Sequence, residues 1–277
     1  MKYRNTRNAE ATARFWGKPL GKPEWYKVQA LSDDEAEIMI YDVIGWPYND
    51  ASELVRALNG IKAKTITVRI NSPGGDVFDG MAIFNALQSH QSKVVTRVEG
   101  LAASMASVIA MAGKEVQAYK NTMLMIHNAW VFAVGDQNVL REVADLLEKI
   151  DGNLLDIYVG KTKTGKREMK QMMADETWLT ASEAKEKGFI NTIIESGTAA
   201  KAEFDLSIFG NVPDDLIDQH KQPTERQLER ALRDAGFSRA DAKALLAGRQ
   251  KPDQVSIDLI ASAKKTLEII GGMKWTN

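Results

Sequence analysis

Thr65-Ile66-Thr67-Val68-Arg69-Ile70-Asn71-Ser72-Pro73-Gly74-Gly75 decides the fold. Its first six residues alternate polar and apolar at period two, the mark of a strand with one buried face. Pro-Gly-Gly then makes a tight turn, and from Asp79 to His90 the apolar Met81, Phe84 and Leu87 recur at helical intervals. The pattern repeats at once: Lys93 to Val98 reads as a strand, Gly100 as a turn, and Ala102 to Ala112 as a helix of small and apolar residues made for burial. Two consecutive βα units predict a parallel sheet with right-handed crossovers. Short strands at Glu115 to Tyr119 and Thr122 to Ile126 follow and end on His127.

Upstream, the spacing predicts a hairpin from Trp25, with its turn at Ser32-Asp33-Asp34 and its second strand from Ala36 to Ile44, then a helix from Asp50 to Asn59. Downstream, Val139, Val143, Leu146, Leu147, Ile150, Leu154 and Ile157 keep a three-to-four spacing from Gln137 to Tyr158. A helix this long projects from a core, and its single apolar face predicts self-association. Thr180-Ala-Ser-Glu183 is a capping box and Gly188 a stop, giving a short helix over 181–187 and a strand from Phe189 to Glu195. After residue 196 the chain turns polar, and two capped helices, 224–236 and 238–248, form a small helical pair. The domain plan is therefore a basic arm over 1–25, a core α/β domain over 26–196, a linker over 197–223 and a helical module over 224–277.

The arm carries Lys2, Arg4, Arg7, Arg14, Lys18 and Lys22 against Glu10 and Glu24, and reads as a solvated tail that Phe15 and Trp16 could anchor. Over all 277 residues the formal charge is −1, so no net field draws in nucleic acid or an anionic membrane. In the C-terminal helical pair Glu225, Glu229, Asp234 and Asp241 interleave with the arginines, which favours an assembly module over a DNA reader. Cysteine is absent, which excludes disulfides, thiolate nucleophiles and Cys-based zinc sites and fits a reducing compartment. No run approaches the roughly 18 apolar residues of a membrane span, and the expectation is a soluble, cytoplasmic protein without cofactor or metal. Gly160-Lys-Thr-Lys-Thr-Gly165-Lys166 imitates a phosphate loop, but Arg167 stands where Ser or Thr would hold magnesium and a helix precedes it in place of a strand. It reads as a basic, flexible loop at the end of the projecting helix.

Chemistry concentrates at Ser104 and His127. A serine hydroxyl needs a base to take its proton, and a serine in the opening turn of a helix has that helix's positive end aimed at the reaction centre. Taken alone, Ser104 in an Ala-rich helix is more simply a residue that bonds back to a carbonyl. His90 at a helix C-terminus and His220 beside Lys221 have structural explanations, whereas His127 ends an apolar strand where Asn128-Ala129-Trp130 changes the character of the chain. Gly74-Gly75 could be only a turn. As an oxyanion hole it would offer the Gly75 amide, with the Met105 amide as the second donor.

In this order, Asn71-Ser-Pro-Gly-Gly75, Gly100-Leu-Ala-Ala-Ser-Met105, Met125-Ile-His127 and Trp178-Leu-Thr-Ala-Ser-Glu-Ala-Lys-Glu-Lys-Gly188 resemble the family of Clp protease proteolytic subunits, with coverage from Ile38 to Glu195. The resemblance implies an α/β fold, a ClpP/crotonase-like spiral of ββα units with a projecting handle helix. It also implies ring assembly and a serine endopeptidase with a Ser-His-acid triad. The serine, the histidine and the two oxyanion amides then fall on Ser104, His127, Gly75 and Met105. Counted back from Leu-Thr-Ala, the family's aspartate falls on Glu176, with Asp175 as the alternative. Ala106 replaces the usual glycine, and Asn128-Ala129 the usual Gln-Pro. The basic arm, Glu-Thr-Trp-Leu-Thr-Ala and the C-terminal module look like the Clp-like proteases of tailed-phage head assembly, which implies scaffold or capsid protein as substrate. A degradative subunit fed by an ATPase, a crotonase-like acyl-CoA enzyme and a catalytically dead assembly ring are the competing readings.

Overall fold

The computed structural model describes residues 26–45, 51–195 and, beyond them, 204, 206, 208–213, 216, 229, 233, 238, 239 and 243. The chain divides into two compact units, Met1–Asp205 and Leu206–Asn277. The basic arm and most of the linker and C-terminal module lie outside the described residues. Within the second unit Glu229, Arg233, Arg239 and Lys243 are helical, and Arg239 Nε donates to Glu229 Oε1 at 3.2 Å.

In chain order the first unit runs β1 (Tyr26–Ala30), β2 (Glu35–Ile40), α1 (Ala51–Asn59), β3 (Thr65–Ser72), α2 (Val77–Gln88), β4 (Lys93–Ala103), α3 (Met105–Ala110), β5 (Glu115–Tyr119), β6 (Met123–Ile126), α4 (Gln137–Lys161), α5 (Lys166–Ala174), β7 (Thr177–Thr180), α6 (Ala181–Glu186) and β8 (Thr192–Ile194). The strands form one eight-stranded sheet in the order β1-β2-β3-β4-β5-β8, with β6 paired to β4 and β7 to β6. All pairings are parallel except the β1–β2 hairpin and β6–β7. This is the mixed α/β architecture expected.

The alternation read in β3 has its physical basis in burial. Ile66, Val68 and Ile70 are fully buried against the helices. Asp76 caps α2, accepting from Phe78 N at 2.9 Å and Asp79 N at 3.0 Å, so the helix begins directly after Gly74-Gly75. Such a cap is worth about 1 kcal/mol.

The second βα unit departs from expectation. Gly100 makes no turn: β4 continues to Ala103 and places three residues, Glu99 to Leu101, between the Val98 and Ala102 pairings where β3 places only Asn71 between Ile70 and Ser72. This bulge swings β4 from β5, which it pairs over Val95–Val98, to β6, which it pairs over Leu101–Ala103. Long-range side chains hold it. Asn71 Oδ1 accepts from Leu101 N at 3.0 Å, and buried Glu99 accepts from Arg69 Nε at 2.7 Å and Nη2 at 2.9 Å and from the Tyr41 hydroxyl. Ala102 and Ala103, good helix formers, are thus taken by the sheet, and α3 is only Met105–Ala110.

Three other expectations are corrected. The hairpin's second strand stops at Ile40, because the chain turns at Asp42, whose carbonyl accepts from Ser72 Oγ at 2.5 Å, and Ile44 forms a lone bridge to Gly75. The last strand is three residues long, since Phe189 and Ile190 are buried in the connection before it. The 160–166 segment joins the embedded end of α4, where Leu154, Leu155 and Tyr158 are buried, and not the projecting end. Thr164 is buried there and Lys163 N donates to Lys187 O at 3.0 Å, so this segment is pinned.

Candidate active site

Ser104 stands where β4 ends and α3 begins, with φ 53° and ψ −127°. A left-handed backbone costs a non-glycine residue about 1–3 kcal/mol and persists only where the surroundings impose it. They do so here. Ser104 N donates to Met125 O at 2.9 Å, extending the β4–β6 ladder, and Ser104 O accepts from Ser107 N at 2.9 Å, opening α3. The side chain is thereby lifted out of both elements.

The opposite wall is the Pro-Gly-Gly turn. A methyl group on Gly74 would stand 2.7 Å from Ser104 Cβ and from Ala103 O, and one on Gly75 would fall 1.9 Å from Ile44 O. Only glycine fits at either position, and both have positive φ, 97° and 153°. Ile44 zips the turn from behind, through Ile44 N to Gly74 O at 2.8 Å and Asp76 N to Ile44 O at 2.7 Å. Among the described residues the Gly75 N–H has no hydrogen-bond acceptor. Met105 is the first helical residue, so its N–H has no intrahelical acceptor either.

β6, buried over Leu124, Met125 and Ile126, delivers His127 at its end. His127 Nε2 lies 2.7 Å from Ser104 Oγ. Burial pushes the imidazole below its ordinary pKa, and the charge of Glu176 partly offsets this by favouring the imidazolium. The neutral ring that can accept the serine proton at Nε2 carries its own proton on Nδ1.

Glu176 occupies the turn between α5 and β7 with φ 50°, and it and Ser104 have positive φ. Trp178 Nε1 donates to Glu176 Oε1 at 3.3 Å. The neighbouring carboxylate lies elsewhere: Asp175 is exposed and accepts from Gln171 Nε2 at 2.8 Å. The chain after His127 is anchored through Asn128 N to Met173 O at 3.1 Å and Ala129 N to Asp151 Oδ1 at 2.7 Å. Beyond it Trp130, Phe132 and Val134 are exposed.

The structure therefore brings Ser104, His127, Gly74-Gly75 and the Met105 amide to one place and sets Glu176 within electrostatic reach of His127. Sequence reading did not single out Ser107 or Tyr158. Ser107 Oγ donates to Ser104 O at 2.6 Å and lies 2.7 Å from the Tyr158 hydroxyl. The one available signal was a serine three residues after Ser104 and a tyrosine on the buried face of an otherwise aliphatic helix. Chemically, an imidazole-bound serine is equipped to attack a carbonyl. Among the described residues no group of His, Asp or Glu is placed to hold a metal ion, and no helix is long and apolar enough to cross a membrane.

Comparison with known proteins gives a match to the Clp protease family over residues 21–197. The chain is 35% identical over 136 residues to the ATP-dependent Clp protease proteolytic subunit of Bacteroides thetaiotaomicron, covering 47% of this chain and 60% of that protein. It is 32% identical over 171 residues to ATP-dependent Clp protease proteolytic subunit 1 of Protochlamydia amoebophila, covering 59% and 82%. With the proteolytic subunit of Bacteroides fragilis it is 34% identical over 133 residues, covering 47% and 64%. The chain thus spans less than two thirds of the first and third of these relatives.

Proposed function

The chain belongs to the Clp protease family, and we propose that it is a serine endopeptidase in which Ser104, His127 and Glu176 form the triad. The observation that carries this reading is the 2.7 Å contact between His127 Nε2 and Ser104 Oγ. Ser104 Oγ attacks the scissile carbonyl carbon while His127 Nε2 takes its proton. The carbonyl oxygen, now negative, is held by the Gly75 and Met105 amides, and the Glu176 carboxylate balances the imidazolium. As the C–N bond breaks, Nε2–H gives its proton to the leaving amine. Water then repeats the sequence to free the acid. Asp175, drawn to Gln171 at the surface, is the weaker choice for the third place.

We read the natural substrate as scaffold or capsid protein of an assembling phage head and the active form as a homo-oligomeric ring. Supporting this are the basic arm, the Glu-Thr-Trp-Leu-Thr-Ala variant, the helical C-terminal stretch, and the projecting half of α4 with half-buried Val139, Val143, Leu147 and Ile150. The second reading is a degradative subunit working with an ATPase, favoured by the names of the relatives. Incubating the purified protein with phage scaffold and capsid proteins, and separately with an unfolded protein plus unfoldase and ATP, separates them. Discrete ATP-independent products support the maturation reading; degradation that needs ATP and a partner supports the second. Loss of neither substrate, beside an active control, would overturn both.

A further inference from the structure

The left-handed backbone of Ser104 must be held by something other than its own preference. Met125 O and the Gly74 wall fix its N-terminal side. On its C-terminal side the carbonyl accepts from Ser107 N at 2.9 Å, from Ser107 Oγ at 2.6 Å and from Val108 N at 3.4 Å. The Ser107 hydroxyl has one proton, and a carbonyl cannot donate, so that proton is spent on Ser104 O. The contact between Ser107 Oγ and the Tyr158 hydroxyl, 2.7 Å, is therefore a bond that Tyr158 donates and Ser107 accepts. Ser107 is fully buried, and Tyr158 is 1% exposed and edge-packed on Phe189 at 5.9 Å between ring centroids. Burial raises the phenol pKa, which keeps its proton in place.

We propose that Ser107 and Tyr158 are positioning residues that hold the Ser104 backbone in its reactive conformation, through a hydrogen-bond chain running from the embedded half of α4 to the Ser104 carbonyl. The chain is directional: Tyr158 polarises the Ser107 hydroxyl, which strengthens its bond to Ser104 O. Tyr158 touches the nucleophile only through Ser107, so its effect requires that hydroxyl. It follows that the long helix, whose other half projects, is tied mechanically to the residue that attacks. The proposal rests on the reading of Ser104 as nucleophile.

The test compares wild type with Ser107→Ala, Tyr158→Phe, the double variant and Ser107→Thr, using a fluorogenic peptide and the rate of fluorophosphonate labelling, with thermal midpoints alongside. Ser107→Ala should lower kcat and the labelling rate by about tenfold or more at unchanged KM, because nucleophile placement is lost while substrate binding is not. Tyr158→Phe should cost less, about threefold, and the double variant should match Ser107→Ala. Ser107→Thr should recover most of the rate. Wild-type kcat in both single variants with only a lowered thermal midpoint would overturn the proposal, as would losses that multiply in the double variant. Should wild type neither cleave nor label, the peptidase reading fails but crystal structures of wild type and Tyr158→Phe still decide this one. An unmoved Ser104 φ and Oγ would overturn it, and a Ser104 that relaxes out of positive φ would sustain it.

Discussion

The two ends of the proposed triad are built on opposite principles. At the nucleophile, backbone is packed on backbone: Gly74 and Gly75 leave no space for a methyl group, Ile44 clamps the turn from behind and a ladder bond from Met125 fixes Ser104. At the acid, a half-buried glutamate sits on a short turn between α5 and β7 and is steadied by an indole N–H at 3.3 Å. The nucleophile end sets geometry, where a displacement of about 1 Å can cost on the order of a hundredfold in rate. The acid end sets charge, which acts over several ångströms and tolerates a longer side chain in place of the family's aspartate.

The contrast is broken most directly at the nucleophile. Ser104→Ala should lower peptidase kcat/KM by roughly 10⁴-fold or more without changing the fold, measured with a fluorogenic peptide and circular dichroism. Gly75→Ala should come next. Its methyl group cannot coexist with Ile44 O at 1.9 Å, so the turn must move and carry the amide with it, costing on the order of 10²-fold in kcat and a lowered thermal midpoint. A Gly75→Ala variant with wild-type kcat would show that this end is more tolerant than its packing.

At the acid, Glu176→Gln should cost roughly 10²-fold to 10⁴-fold in kcat, the larger figure applying if the imidazole tautomer is also lost. It carries a pH signature as well. Burial depresses the His127 pKa and Glu176 raises it, so removing the charge must depress it further. Because activity requires neutral His127, the acid limb of the kcat/KM profile should lie below the ordinary imidazole value of about 6.5 in wild type and move to still lower pH in Glu176→Gln. A limb that moves upward would mean that Glu176 is not the charge His127 senses. Asp175→Asn, at an exposed carboxylate bonded to Gln171, should be the smallest effect, within about twofold of wild type.

How far these features were legible follows the range of the forces involved. The β3-turn-α2 unit was readable because its determinants, alternating Ile66, Val68 and Ile70 and then Pro-Gly-Gly, are local. β4 was misread because Gly100 and Ala102-Ala103 follow local rules for a turn and a helix, whereas Asn71, Arg69 and Tyr41, roughly 30 to 60 residues distant in sequence, override them. Ser104 and His127 carry recognisable motifs, and the motif order foretold that they meet. Glu176 came from counting residues with Asp175 as the alternative, and what supports the proposed choice, the Asp175–Gln171 bond and the Glu176 charge felt by His127, exists only in three dimensions. The Ser107–Tyr158 contact joins residues 51 apart and has no sequence signature.

The central claim, an activated Ser104, is tested most directly by treating the purified protein with a fluorescent fluorophosphonate and locating the modified residue by mass spectrometry. Wild type should label at Ser104, with labelling abolished in Ser104→Ala and reduced at least a hundredfold in His127→Ala, in line with loss of a general base. Absence of labelling in folded wild type, or labelling of Ser104 at the same rate without His127, would contradict the account.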